Sequence, residues 1–209
     1  MTTLCLNTLS RLQHDIDERV QAIREAHPEW LCGKGCAGCC RRLAEIPQLT
    51  AAEWRFLREG LAALSPERLQ AISRDLGALV GQPWRPIVCP LLDQTTNACP
   101  VYAQRPVACR TYGFYVQRNR GLYCHEIEAP VTDGTLADVV WGNHDAIDHR
   151  LAGLGGTRPL NEWFERWQLN SSFPGMAGKP VPPDQGLRAT RPISAERPLC
   201  PMPSEISSS

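Results

Sequence analysis

Cys32-Gly33-Lys34-Gly35-Cys36-Ala37-Gly38-Cys39-Cys40 places four cysteines within nine residues. A tight turn carrying Cys-x3-Cys-x2-Cys can aim several sulfurs at one point. Glycines at 33, 35 and 38 permit close backbone approach and leave amides free to donate to sulfur. Four more cysteines follow, as Cys89-Pro90, Cys99-Pro100, Cys109-Arg110 and Cys124-His125. Four thiolates suit tetrahedral zinc at about 2.3 Å, or an iron–sulfur cluster. Eight suffice for two such sites, or for one site with thiols to spare. Successive side chains diverge, so Cys39 and Cys40 are expected to serve different metals; otherwise one of them is a reserve or reactive thiol.

Other readings of these cysteines are weaker. A disulfide framework needs an oxidising compartment, and the start Met1-Thr2-Thr3-Leu4-Cys5-Leu6-Asn7 lacks the basic and apolar runs of an export signal. Inert buried thiols suit the isolated Cys5 and Cys200 better than the clustered eight. Cys32, Cys36 and Cys39 also have the spacing of radical S-adenosylmethionine enzymes. Gly38, however, stands where an aromatic residue is usual, and no alternating strand–helix series for a large barrel is visible.

Outside the cysteines, residues 8–26 carry Leu9, Leu12, Ile16, Val20 and Ile23 at helical steps, stopping near Pro28. Thr50-Ala51-Ala52-Glu53 is a capping box opening a helix to about Leu64. Ser65-Pro66 starts another, with Leu69, Ile72, Leu76, Leu79 and Val80 as its stripe. These two read as a helical hairpin inserted between the cysteine groups. Residues 83–124 are turn-rich, with extended pieces at 87–88 and 111–116; helical periodicity returns weakly at 135–152 and firmly at 161–168. Residues 171–209 hold 18 Pro, Gly and Ser among 39 and are expected to be a flexible tail. The fold class expected is mainly α with irregular loops: one small domain at 1–170, stapled by a cysteine-bound metal centre. Leu, Ile, Val and Phe make up only 22% of the 209 residues, so the apolar core is thin and the staple has work to do.

Several charged and aromatic residues lie close to the cysteines in sequence. Lys34, Arg41, Arg42, Arg105 and Arg110 can offset the negative charge of thiolate-bound metal. Arg105 and Arg110 are the expected outer donors to the cofactor, Arg105 first, because a guanidinium offers five directed N–H groups and keeps its charge. Arg41 and Arg42 read equally well as solvated. Tyr102 reads as a core ring, and His125 as structural more often than as a substitute ligand. His144 and His149, five apart, face different sides of a helix, and Asp138, Asp145 and Asp148 read as a solvated face.

On these residues the chain resembles a family of bacterial cysteine-cluster proteins, the YkgJ type, described as zinc- or iron-chelating. Its pattern is matched by Cys32, Cys36, Cys39 and Cys40; Cys89-Pro90-Leu91-Leu92; Cys99 with Tyr102; Arg105-Pro106; Cys109-Arg110; and a last Cys124, over about residues 30–126. The resemblance implies metal chelation through Cys32, Cys36, Cys39, Cys40, Cys89, Cys99, Cys109 and Cys124. One related branch, the flagellin lysine N-methylases, is taken to use an iron–sulfur centre; this chain lacks the extra length of those enzymes.

The expected function is therefore metal binding, of zinc or of iron in an iron–sulfur cluster, with a structural or partner-presenting role. The alternative is an iron–sulfur enzyme or redox protein. Balanced charge, 22 basic against 22 acidic residues, argues against a broad grip on nucleic acid or anionic lipid. No run approaches a membrane span. A cytoplasmic protein, with an unspecified protein partner at most, is the expectation.

Overall fold

In a computed structural model of the protein, residues 3–82 and 84–169 are described; the expected tail at 171–209 lies outside them. The first element, α1 (Thr3–Ala26), buries the predicted stripe Leu9, Leu12, Ile16, Val20 and Ile23. Spaced three and four apart, these side chains share one face. They form a cluster with Val107, Phe114, Tyr115, Ile147 and Leu154 from later in the chain.

A single turn, α2 (Gly38–Arg41), is followed by β1 (Gln48–Thr50), α3 (Ala51–Ala62) and α4 (Pro66–Leu79). The capping box is present: Thr50 Oγ1 accepts from Glu53 N, and the Glu53 carboxylate accepts from Thr50 N. Ser65 caps α4, with Pro66 in its first turn. Leu57 and Leu61 of α3 join Leu69, Ile72 and Leu76 of α4 in a second cluster, closed by Trp163 and Phe164 of α8 (Leu160–Leu169). Val80 does not belong to the stripe. The helix ends at Leu79, so Val80 falls on its cap and is 58% exposed.

Between these clusters lie short pieces: a 3₁₀ turn at Tyr102–Gln104, α5 (Val107–Thr111), β2 (Tyr115–Gln117), β3 (Arg120–Leu122), α6 (His125–Thr132), β4 (Gly142–Asn143), α7 (His144–Ala152) and β5 (Thr157–Pro159). The extended run expected at 111–116 is in part helical. Pro106 stands at the N-cap of α5, and the Thr111 hydroxyl donates back to Val107 O at 3.1 Å, so the strand begins only at Tyr115. Likewise the helix expected over 135–152 starts at His144, where Asn143 Oδ1 accepts from Asp145 N at 2.9 Å. α6 escaped the periodicity reading because it is eight residues long and contains Pro130.

β1 pairs antiparallel with β5, Leu49 opposite Arg158, which docks α8 beside α3. β2 pairs antiparallel with β3 and parallel with β4, in the order β3-β2-β4. A third small cluster, Ile127, Leu136 and Val139, packs beneath Trp30, Cys32 and Cys124. The architecture is mainly helical with short strands, and the cysteines lie where the three apolar clusters approach one another. No helix of the described residues is long and apolar enough to cross a membrane.

Candidate metal centre

The Cys32–Cys40 stretch is a loop closed by Cys36 N donating to Gly33 O at 3.1 Å, running straight into α2. Gly35 has φ +94°, which an L side chain rarely adopts, so this glycine is conformationally required. Gly33 and Gly38 have no such backbone need. From α2 the chain runs to a two-way bridge in which Leu43 and Ile87 exchange backbone hydrogen bonds at 3.0 and 2.9 Å. Cys89 N donates to Cys40 O at 2.7 Å beside it. The extended reading of Ile87 thus has a purpose: it ties the second cysteine group to the first.

Cys89 and Cys99 are presented alike. In Cys89-Pro90-Leu91-Leu92, Leu92 N donates to Cys89 O at 3.1 Å, and in Cys99-Pro100-Val101-Tyr102, Tyr102 N donates to Cys99 O at 3.1 Å. Proline after each cysteine presets the second residue of a β-turn. Cys109 sits in the first turn of α5, and Cys124 is the residue before α6, its carbonyl accepting from Ile127 N and Glu128 N.

Seven of the eight thiols line a common cavity: Cys32, Cys36, Cys39, Cys40, Cys89, Cys99 and Cys109. The eighth, Cys124, stands just behind. Its Sγ lies 3.7 Å from where a Cβ on Gly38 would sit, and Cys36 Sγ lies 3.9 Å from the same point. Cys39 Sγ and Cys40 Sγ are 4.0 Å apart. All eight are free thiols, so the disulfide framework is absent from this region. Cys5 is different: it is buried and disulfide-bonded, which corrects the inert-thiol expectation for it, while Cys200 lies outside the described residues.

Among the described residues, no three His, Cys, Asp or Glu side chains are drawn close enough to hold an ion as they stand. Seven of the thiols surround a shared space, and Cys32, Cys39, Cys40, Cys99 and Cys109 hold their protons more tightly than usual. Burial first, then the charges of Cys36 and Cys39, pushes the Cys32 thiol up to about 12. Cys39 is raised, first by its hydrogen bond with Cys40 and then by burial. Cys40 is eased by the bond with Cys39, but Cys89 and burial outweigh this and push it up to about 12. Cys99 is raised by burial, and Cys109, although exposed as a residue, is raised by the protein mass around its thiol and then by Cys39, Cys40 and Cys99.

Groups that repel as thiolates are what a soft cation brings together, and a donor set of sulfur alone fits zinc or iron. The residues present fit such a metal. The same shifts carry a sign for the metal-free protein. Acids whose folded pKa lies above the ordinary 9.0 favour folding below that pH and oppose it as they ionise. Thermal melts of metal-free protein are therefore expected to fall as pH rises from about 9 towards 12. Metal affinity runs the other way, rising with pH as protons are released. A metal-free melt that is flat over this range contradicts the assigned burial.

The expected arginines divide in role. Arg105 lines the cavity, with its Cζ 4.0 Å from the centroid of the half-buried Tyr102 ring. Its charge holds both Cys99 and Cys109 lower than they would otherwise be, and Arg68 adds to the effect at Cys99. Arg110, 5% exposed, instead donates to Asp17 Oδ2 at 2.6 Å and to Arg105 O at 3.1 Å. It braces the Arg105 turn from α1, and none of these acceptors is a sulfur. Arg41 donates to Gln94 Oε1 and Asn97 Oδ1, holding the 94–97 loop. His125 lies in an open outer groove with Cys36 and Arg42. His144 is buried against Tyr115, far along the chain from the cysteine loop.

Three residues support the site in ways the sequence did not signal. Tyr112 lines the cavity, and its carbonyl lies 3.7 Å from Cys32 Sγ. Glu53 reaches beyond its own cap, Oε1 accepting from Val107 N at 2.9 Å. Gly113 has φ +91°, and a Cβ there would fall 2.7 Å from Cys32 Sγ. Gly113→Ala must therefore strain the backbone and displace Cys32. It is expected to weaken metal retention at least tenfold in chelator competition; unchanged retention would show that Cys32 is not a ligand.

Residues 31–129 match the family model CxxCxxCC, whose description is "Putative zinc- or iron-chelating domain". No curated protein and no solved structure matches the chain.

Proposed function

Since the chain belongs, through residues 31–129, to the cysteine-cluster family of zinc- or iron-chelating domains, we propose that its eight thiols hold metal whose first role is structural. The observation that carries this reading is the location of the thiols at the junction of the apolar clusters. Cys32 packs on the α1 cluster and, with Cys124, on the Ile127 cluster; Cys89 and Cys99 pack on the α3–α4–α8 cluster. Metal bound there ties together three cores, each small by itself, through loops with little regular structure. Binding energy then becomes folding energy.

When bound, the metal supplies thiolate cross-links; the chain supplies their placement. The Cys-Pro turns and the Leu43–Ile87 bridge hold the sulfurs' backbones, and Arg105 supplies positive charge beside Cys99 and Cys109.

Purification without oxygen, followed by metal and acid-labile sulfide analysis, tests this. The expected result is stoichiometric zinc or iron, with the eight thiols resisting alkylation until a chelator is added. Metal-free protein whose eight thiols alkylate at once would refute it. Brown protein releasing sulfide would identify the metal as iron–sulfur and open the redox or enzymatic alternative; colourless zinc protein would close it.

A further inference from the structure

We propose that the open groove outside the thiol cavity binds a small di- or tricarboxylate carrying zinc or iron, and that the buried thiols take their metal from this chelate past Cys36. The inference rests on the metal-binding reading and adds to it a ligand site and the chemical class of the metal donor.

The groove has a volume of about 490 Å³, within the range of small-molecule sites. Leu31, Cys36, Arg41, Arg42, His125 and Glu126 line it. Cys36 also lines the thiol cavity, so the two spaces share a wall. Gly38 belongs to the groove as well. The position its Cβ would take lies 3.9 Å from Cys36 Sγ and 3.7 Å from Cys124 Sγ, so no side chain at residue 38 screens these sulfurs.

The charge of the groove selects an anion. Arg42 is exposed, and its guanidinium makes no hydrogen bond or ion pair among the described residues. Arg41 is held by Gln94 Oε1 at 3.3 Å and Asn97 Oδ1 at 2.5 Å, both neutral acceptors that fix the side chain and leave its charge uncancelled. Against these two cations the groove sets one carboxylate, Glu126. A guanidinium with free N–H groups grips a carboxylate through two parallel hydrogen bonds. Leu31, 62% exposed, offers apolar surface to a carbon skeleton.

A polycarboxylate can pair with Arg42 through one group and hold metal with the others. Oxygen donors suit zinc less well than thiolates do, so transfer to sulfur runs downhill. Each metal–oxygen bond is replaced by a metal–sulfur bond, each entering thiol releases its proton to solvent, and the free carboxylate leaves. No electron moves.

Full-length protein purified without oxygen, with its own zinc or iron, is given the same metal isotopically labelled, either as the citrate complex or as the chloride. Mass spectrometry of the desalted protein reads incorporation. Incorporation from citrate is expected to saturate as the complex is raised. The citrate rate relative to the chloride rate should fall about tenfold in Arg42→Gln, the loss of one bidentate charge pair, and little in Arg58→Gln, which removes the same charge from an exposed position of α3 outside the groove. A rate that never saturates, a ratio unchanged in Arg42→Gln, or an equal fall in Arg58→Gln overturns the site. Metal-containing protein that incorporates label from neither source overturns the groove as a route and leaves metal binding intact. Protein that carries no metal and takes up none overturns both readings.

Discussion

Cys36→Ser is expected to lose metal and thermal stability in one step. Cys36 lines both the thiol cavity and the outer groove, so it stands between the buried centre and solvent. Serine keeps the shape of the turn closed by the Cys36 N to Gly33 O bond but cannot supply a thiolate. The stability at stake follows from linkage: metal at a thousand times its Kd contributes about 4 kcal/mol. For a domain of this size that corresponds to about 8–16 °C in Tm. Melts with and without chelator read the effect. Chelated wild type should fall to the temperature of the variant, and chelator should move the variant much less. A variant melting with untreated wild type would show that Cys36 is not a structural ligand.

Glu53→Ala should cost nearly as much, for a reason unrelated to sulfur. Glu53 is 4% exposed, and its carboxylate serves three donors: Thr50 N, Thr50 Oγ1 and Val107 N, each at 2.9 Å. Losing the cap, which leaves Thr50 N without its acceptor, costs about 1 kcal/mol, and the buried Val107 amide left unpaired costs about 1–3 kcal/mol more. The total is about 2–4 kcal/mol. The Val107 bond fixes the turn that carries Arg105 and Cys109, so metal retention at that end should weaken with stability. Denaturant unfolding of metal-loaded protein measures the loss. A change below about 1 kcal/mol would mean that Val107 N finds another acceptor and that α3 does not brace the site.

The local helices could be read from the sequence because their determinants are local. The α1 stripe, the Thr50–Glu53 box and the Ser65-Pro66 start lie where spacing and capping chemistry put them. The family was legible from the cysteine spacings, which the match over 31–129 bears out. The supports of the site were not legible. Asp17 meets Arg110 across 93 residues and Glu53 meets Val107 across 54, and no periodic pattern encodes such pairs. Gly113 looked ordinary because its need comes from Cys32, far earlier in the chain. α6 was hidden by Pro130 and its short length, so the residue it presents, Cys124, could be placed only by the fold.

X-ray absorption at the zinc or iron edge of anaerobically purified protein examines the central claim directly. The account predicts a sulfur shell around the metal, with four thiolate neighbours at about 2.3 Å for zinc. A shell of nitrogen and oxygen at about 2.0–2.2 Å, with no sulfur, would contradict it.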